Sequence, residues 1–351
     1  MQVRPITARA AELAAQTLPP IEVPLTPPAQ PGSVPYDQRA DVQAWADAVA
    51  ARTGLPIEWL RAALSEARYT PAAAKAILPA PAGTPKNWAA YRARFIEPRR
   101  IRAGLAFWQA NEAALQRAEQ QYGVPAQIIV GIIGVETLYG EHTGRFRLVD
   151  ALTTLAFDYP REAPRDRSAF FRAELEQFFL LVRDIHANPV EIQGSYAGAL
   201  GLPQFMPSSW RRHAVDFDGD GRVDLFTNAA DAIGSVAHYL AEYGWQRGLP
   251  VRHAVRGIDA NPAELTRLLG PDIVPSFTVQ ELQRSGVALD AQAASASGLL
   301  ALVKLENGTS APSYVAGTDN FFVLTRYNQS AMYALAVTEL GDEVARQRNV
   351  N

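Results

Sequence analysis

Thirteen residues inside the chain, Pro125-Ala-Gln-Ile-Ile-Val-Gly-Ile-Ile-Gly-Val-Glu-Thr137, constrain the fold more than any other stretch. They are apolar nearly all round, so a helix over them has no face to offer water and must be covered by neighbouring elements. The run is too short to cross a bilayer. Its cleanest part extends only from Ile128 to Val135 with two glycines inside it, and no other stretch reaches the ~18 apolar residues of a membrane span. The chain has 351 residues, 48% of them hydrophobic, which is enough to supply the cover. At ~150 residues per domain it should form two or three domains.

One carboxylic acid stands in that block. Glu136 lies at the C-terminal end of the apolar run, where such walls disfavour the anion, raise the pKa and let the group hold a proton near neutral pH. This is the setting of a glycosidase general acid. The plainer reading is that Glu136 marks where a buried helix reaches the surface. A general acid usually faces a second carboxylate, ~5 Å away for retention or ~6.5 to 9.5 Å for inversion. Glu141, Asp150, Asp158 and Glu162 follow in the sequence, but none has a comparable apolar setting. A one-carboxylate mechanism, in which an N-acetyl group of the substrate serves as nucleophile, is consistent with that. The chain has no cysteine, which excludes thiol nucleophiles, thiolate zinc, iron–sulfur clusters and disulfides. Its 33 Lys+Arg nearly balance 36 Asp+Glu, so no global basic field points to nucleic acid.

The remainder reads as mostly helical. Seven prolines in the seventeen residues from Pro19 to Pro35 forbid helix, and residues 1–35 are expected to be an exposed arm. Helical spacing begins with Val42, Trp45, Ala46 and Val49 and resumes over 55–64, 87–95 and a long helix at 99–122, closed by Gly123. Further helices are expected over 150–156, 168–185, 207–215, 229–243 and 330–340. After Pro250, strands are expected at 299–305, 313–317 and 321–325, with Asn307-Gly308 as a hairpin turn. The Asn307-Gly-Thr sequon reads more simply as that hairpin than as a glycosylation site. The fold class is therefore mainly α (α+β): an arm over 1–35, a flanking helical region over 36–124, a helical core over 125–250 and a small α/β segment over 251–351. The five histidines show no metal-ligand spacing.

Two further motifs bear on chemistry. The stretch from Gly194 to Trp210 is rich in small residues and then in aromatic and amide groups. Ser195, Gln204 and the aromatics suit hydroxyl-rich sugars, while a glycine-mediated helix contact is the commoner cause of such a pattern. Asp216-Phe-Asp-Gly-Asp-Gly-Arg-Val-Asp224 starts like an EF-hand calcium loop: Asp216, Asp218 and Asp220 fall at positions 1, 3 and 5, Gly221 at the turn and the Arg222 carbonyl at position 7. Position 12 is Thr227 instead of glutamate, so a strict EF-hand fails there. Five acidic residues this close favour a cation, structural in role, over a bare solvated turn.

Gly131-Ile-Ile-Gly-Val-Glu-Thr-Leu-Tyr-Gly140, Gly194-Ser-Tyr-Ala-Gly-Ala-Leu-Gly, Gln204-Phe-Met-Pro-Ser-Ser, Asp231-Ala-Ile-Gly-Ser-Val and Arg326-Tyr-Asn-Gln-Ser together resemble the lytic murein transglycosylase B family, glycoside hydrolase family 103. The motifs keep the family's order and span about Tyr91 to Tyr333. The resemblance implies a lysozyme-like core within 125–250. It also implies cleavage of the β-1,4 bond between N-acetylmuramic acid and N-acetylglucosamine in peptidoglycan glycan strands, without water, to give 1,6-anhydromuramic acid ends. Glu136 corresponds to the acid. Substrate contacts carry over to Tyr91, Ser195, Gln204, Tyr239, Tyr327, Asn328 and Tyr333, the last three returning from the C-terminal segment to the substrate groove. The family's Tyr-Pro-Arg-Arg is replaced by the longer Tyr159-Pro-Arg-Glu-Ala-Pro-Arg-Asp-Arg-Ser168, where Arg167 is the best match and Arg161 and Arg165 compete. The family closes its calcium loop with the residue that is Asp231 here, one residue later than usual.

The implied location is the bacterial periplasm, with other cell-wall enzymes as candidate partners. The first twenty residues lack the apolar region of a secretory signal, and no cysteine offers lipid attachment. The expectation is a soluble member or a processed chain. A hydrolytic muramidase and a catalytically idle peptidoglycan-binding protein are the rival readings.

Overall fold

A computed structural model describes residues 30–81, 83–296 and 298–350. Most of the proline-rich arm expected over 1–35 lies outside the described residues. The described chain is mainly helical with a small antiparallel sheet, as expected, and packs into two compact units, each built from separate stretches of sequence.

The first unit comprises residues 83–139 and 233–350. Its centre is the apolar block, which forms the helix Ala126–Thr137, with Ile129, Val130, Ile132 and Ile133 fully buried. The C-terminal helix Ala331–Arg348 crosses it closely. A Cβ on Gly131 would lie 2.2 Å from the Val337 carbonyl oxygen, and one on Gly341 would lie 2.0 Å from that of Gln127. Glycine on each helix thus lets the partner's backbone approach, and the apolar surface gained is the driving force. The helix Pro98–Ala110 packs against both; its start is fixed by Pro98 and by the Glu97 carboxylate, which accepts from the Arg99 and Arg100 amides.

The same unit carries the sheet, ordered Val287–Leu289, Arg252–Ile258, Ser310–Gly317, Ala301–Asn307, all antiparallel. Leu268, Leu282, Val287, Leu300, Leu302 and Ala316 give it a hydrophobic core of its own. Asn307 pairs with Ser310, leaving Gly308-Thr309 as the two-residue loop of the predicted hairpin, with Gly308 at φ 65°.

Two expectations are corrected. Residues 321–325 are not a strand but lie in the helix Asp319–Tyr327, started by Thr318, whose hydroxyl accepts from the Asn320 amide. Phe321 to Thr325 are all buried, and an apolar run covered on every side carries no period to tell strand from helix. The single helix expected over 99–122 is two, Pro98–Ala110 and Glu112–Tyr122. The break is at Asn111 (φ −121°, ψ 23°), whose side-chain amide donates to the Phe107 carbonyl at 2.8 Å. Asparagine competes for backbone partners and tolerates such a bend.

The second unit comprises residues 30–81 and 140–232. Its core is aromatic: Trp45 lies edge-on to Phe157 at 5.7 Å, and Phe179 packs on Trp45 and Trp59. The helices Leu148–Phe157 and Ser168–Asp184 pack along one another. Asp158 is buried and accepts from the Tyr36 hydroxyl (2.8 Å) and, through both oxygens, from Arg39 Nη1 (2.9 Å), while Arg39 Nε and Nη2 donate to Asp41.

Replacing Gly131 by alanine should separate the two crossing helices and cost about 1–3 kcal/mol in denaturant unfolding. Gly257→Ala, whose new methyl meets nothing within 4 Å, serves as control and should leave the midpoint near wild type.

Candidate active site around Glu136

Glu136 occupies the last turn of the central helix, and the chain beyond it is unusual. Leu138 (φ 51°, ψ 50°) and Tyr139 (φ 57°) are both left-handed, a conformation that side chains other than glycine rarely adopt. The Leu138 amide donates to the Gly134 carbonyl at 3.1 Å and the Tyr139 amide to that of Ile133 at 3.4 Å, ending the helix abruptly. The Tyr139 ring packs on Phe107 with centroids 5.2 Å apart, and its hydroxyl lies 2.5 Å from where a Cβ on Gly134 would be. Glycine at 134 therefore makes room for the tyrosine that locks the turn after Glu136.

The C-terminal helix brings Tyr333 onto this acid. Ser330 caps the helix, its hydroxyl accepting from the Tyr333 amide at 3.3 Å, and the Tyr333 hydroxyl donates to Glu136 Oε1 at 2.6 Å. From there a row of aromatics extends. Tyr327 stacks on Tyr333 at 6.2 Å, Tyr239 meets Tyr327 edge-on at 4.9 Å, and Tyr243 lies 4.5 Å from Tyr239. The Tyr239 hydroxyl donates to the Arg326 carbonyl at 2.7 Å. Tyr91, half-buried between Trp88 and Phe95, lies within reach of the Glu136 charge.

Burial pushes the Glu136 carboxyl up to about 7 from an ordinary 4.5, while the Tyr333 hydrogen bond pulls the other way. Burial, and next the Glu136 charge, also hold the Tyr91, Tyr327 and Tyr333 phenols above their usual range, so all three are neutral donors. The site can thus hold one proton on a carboxyl group near neutral pH beside neutral hydroxyls and aromatic faces, which suits an uncharged sugar.

Of the residues expected to meet substrate, Glu136, Tyr91, Tyr239, Tyr327 and Tyr333 come together in the first unit, and Asn328 follows Tyr327 as an exposed residue at the helix end. Ser195, Gln204 and Arg167 belong to the second unit. The Ser195 hydroxyl accepts from the Ala199 amide at 2.9 Å within a tight turn. Gln204, left-handed at φ 51°, donates its side-chain amide to the Thr143 and Gly201 carbonyls, which leaves its oxygen as the group to offer a hydroxyl. Arg167 is exposed and lies over the Phe170 ring at 4.7 Å; Arg161 and Arg165 are exposed too. Sequence reasoning missed Tyr243, although its i, i+4 spacing from Tyr239 places the two rings on one helix face. It also missed the Leu138–Tyr139 turn, although Gly140, itself at φ 99°, directly follows it.

In the second unit the acidic loop gathers Asp216, Asp218 and Asp231, with one oxygen from each within 4.8 Å of the others. Asn228 starts the helix Ala229–Glu242 by accepting from the Ala230 and Asp231 amides, which sets Asp231 in its first turn. Asp231 is fully buried, its oxygens accepting from the Phe217 (2.7 Å) and Asp224 (2.8 Å) amides. Burial raises its pKa and the charges of Asp218 and Asp216 add to that, a strain that a cation would relieve. Asp220 and Arg222 lie outside the trio: the Asp220 carboxylate accepts from the Arg222 amide at 2.8 Å. The hard oxygen set suits calcium.

Residues 37–342 match the transglycosylase SLT domain family. The chain is similar to the membrane-bound lytic murein transglycosylase B of Escherichia coli (strain K12), with 42% identity over 268 residues covering 76% of this chain and 70% of that protein. It is also similar to the crystal structure of the soluble lytic transglycosylase SltB1 from Pseudomonas aeruginosa, at 40% identity and a TM-score of 0.78, covering 88% of this chain and 99% of that one. The Escherichia coli lytic transglycosylase Slt35 in complex with calcium is 37% identical with a TM-score of 0.76, covering 90% and 95%.

A carboxyl raised on folding carries a stability signature. Glu136 binds more proton in the folded than in the unfolded chain between about 4.5 and about 7, so its contribution to stability falls as pH rises through that window. Glu136→Gln, which cannot ionise, should gain on wild type by on the order of 2–3 kcal/mol between about pH 4 and about pH 8. Denaturant midpoints across that range check this, and a pH-independent difference would show that burial does not hold the carboxyl up.

Proposed function

Because the chain belongs to the transglycosylase SLT domain family, we propose that it is a lytic transglycosylase that cuts peptidoglycan glycan strands between N-acetylmuramic acid and N-acetylglucosamine. The observation that carries this reading is Glu136, held at the end of the central helix with the Tyr333 hydroxyl donating to it at 2.6 Å and with its carboxyl raised to about 7 by burial. Hydrolases of the usual retaining or inverting kind pair the acid with a second carboxylate; a reaction in which the substrate supplies the nucleophile runs on the one acid.

The chemistry then runs on one group. Protonated Glu136 donates to the bridging oxygen as the bond from C1 to that oxygen breaks, and the 2-acetamido oxygen of the muramic sugar stabilises C1. The Glu136 carboxylate next takes the proton of the C6 hydroxyl, whose oxygen bonds to C1 and closes the 1,6-anhydro ring. The acid is regenerated and no water is consumed. Tyr333 orients the carboxylate by donating to Oε1 and steadies the anion between the two steps. Tyr91 and Tyr327 offer faces and hydroxyls to the sugars and Tyr239 an aromatic face, with Asn328 beside them; in the second unit, Ser195 and Gln204 are the proposed sugar contacts and Arg167 suits lactyl or peptide carboxylates.

Asp216, Asp218 and Asp231 would hold a calcium ion, with Asp220 and the Arg222 carbonyl as further donors, and the ion would brace the loop without entering the reaction. No helix among the described residues is long and apolar enough to cross a membrane. Since the substrate is the cell wall, the periplasm is the proposed place of work.

Purified peptidoglycan digested with the protein should release muropeptides ending in 1,6-anhydromuramic acid, one water lighter than reducing ends by mass analysis; reducing ends would make it a hydrolytic muramidase. Glu136→Gln should slow release by ~10²–10⁴-fold. Calcium should raise the melting temperature, with about 2.7 kcal/mol gained when free calcium is a hundredfold above Kd. Asp231→Asn should remove that gain, and a melt indifferent to both calcium and chelator would refute the site.

A further inference from the structure

The helix that carries Tyr91, Trp88–Ala93, has six residues. A helix that short does not hold itself in water. Trp88 is buried and Tyr91 half-buried, but Ala89, Ala90, Arg92 and Ala93 are exposed, so side-chain packing anchors it at two points only. Its first amides need partners from outside. Asn87 caps it locally by accepting from the Ala90 amide at 2.9 Å. The next partner comes from more than two hundred residues away in sequence: Asn307, at the tip of the β-hairpin, accepts from the Ala89 amide through Oδ1 at 3.2 Å.

The hairpin tip is shaped for this contact. Asn307 and Asn87 form an isolated antiparallel bridge, and the Gly308 amide donates to the Lys86 carbonyl at 3.0 Å. The Asn307 side-chain amide donates to the Ala311 carbonyl (3.0 Å) and the Ser313 hydroxyl (3.1 Å), which turns Oδ1 toward Ala89. Gly308 at φ 65° gives the tip its turn, and a Cβ there would crowd the Asn87 side chain at 3.2 Å. At the other end of the short helix, Arg92 pairs with Glu339 of the C-terminal helix at 2.5 Å. The sheet thus grips the helix at its start, and the helix that carries Tyr333 grips it at its end.

We propose that the hairpin tip, through Asn307 and Gly308, is a positioning element for Tyr91: it fixes the helix carrying that side chain beside Glu136 and so sets how the sugar is held at the acid. The proposal rests on the reading of Tyr91 as a substrate contact. It gives the small sheet a task in the reaction and explains why the Asn307-Gly308-Thr309 sequence is a hairpin whose asparagine side chain is already engaged.

The test is a double-mutant cycle on soluble peptidoglycan strands with wild type, Tyr91→Ala, Asn307→Ala and the double variant, melting temperatures recorded for each. Asn307→Ala should lower kcat/KM by about five- to tenfold, the scale of one hydrogen bond. That loss should vanish in the Tyr91→Ala background. Asn307→Asp, which keeps an acceptor for Ala89 but loses the donations to Ala311 and Ser313, should recover only part of the rate, and amide exchange at Ala89 should quicken in Asn307→Ala while the Ala301–Asn307 strand stays protected. If Tyr91→Ala slows the enzyme but Asn307→Ala does not, or slows it by the same factor in both backgrounds, the positioning role is wrong and the site reading stands. If Tyr91→Ala is as fast as wild type, the reading of Tyr91 is wrong and the positioning role falls with it. Should Asn307→Ala fail to fold, Asn307→Ser takes its place in the cycle.

Discussion

The contact between Gly131 and the Val337 carbonyl, with its reciprocal between Gly341 and the Gln127 carbonyl, decides where the chemistry can be. Two helices separated by nearly two hundred residues of chain approach backbone to backbone, and the approach carries Tyr333 onto Glu136. Two opposing effects then meet on one carboxyl group. Withdrawal from water favours the neutral acid, and the phenol hydrogen bond favours the anion. Their balance near 7 matters because the proposed reaction asks the same group first to give a proton and then to take one back. With burial alone the group would hold its proton too tightly to act as a base; with the hydrogen bond in a wet site it would be ionised and unable to act as an acid.

What could be read in the sequence follows from how local each cause is. The apolar run with its terminal acid is a local pattern, and it gave both the central helix and the buried carboxyl. The spacing of Asp216 and Asp218 is local as well, and the two do converge. The approach of Tyr333 to Glu136 spans 197 residues and left no local trace; a family resemblance, and no period or spacing, pointed to that tyrosine. Residues 321–325, inside the helix Asp319–Tyr327, read as a strand in sequence because burial on all sides erases the period. The left-handed Leu138 and Tyr139 are not announced by their own residue types; Tyr139 packs on Phe107, Gly104 and Gly134, and the one turn residue, Gly140, comes after both.

The acid and the acidic loop solve the same difficulty in opposite ways. Glu136 has one hydrogen-bond donor and is left neutral at the price of being protonated near pH 7. Asp231 is more deeply buried yet receives two backbone amides, and its neighbours are acids rather than phenols. Adding hydrogen-bond donors stabilises a carboxylate without discharging it, so a trio of such groups accumulates negative potential that protonation or a cation must neutralise. The amides fix Asp231 rigidly, and Asn228 holds Asp218 from the other side at 2.8 Å. Oxygens fixed in that way are preorganised for a hard cation and poorly suited to proton transfer, which requires a group free to exist in both states. The same functional group, a carboxylate, thereby suits a cation in the proposed calcium loop and acid–base chemistry at the proposed acid on the central helix, and the number and kind of donors around each make the difference.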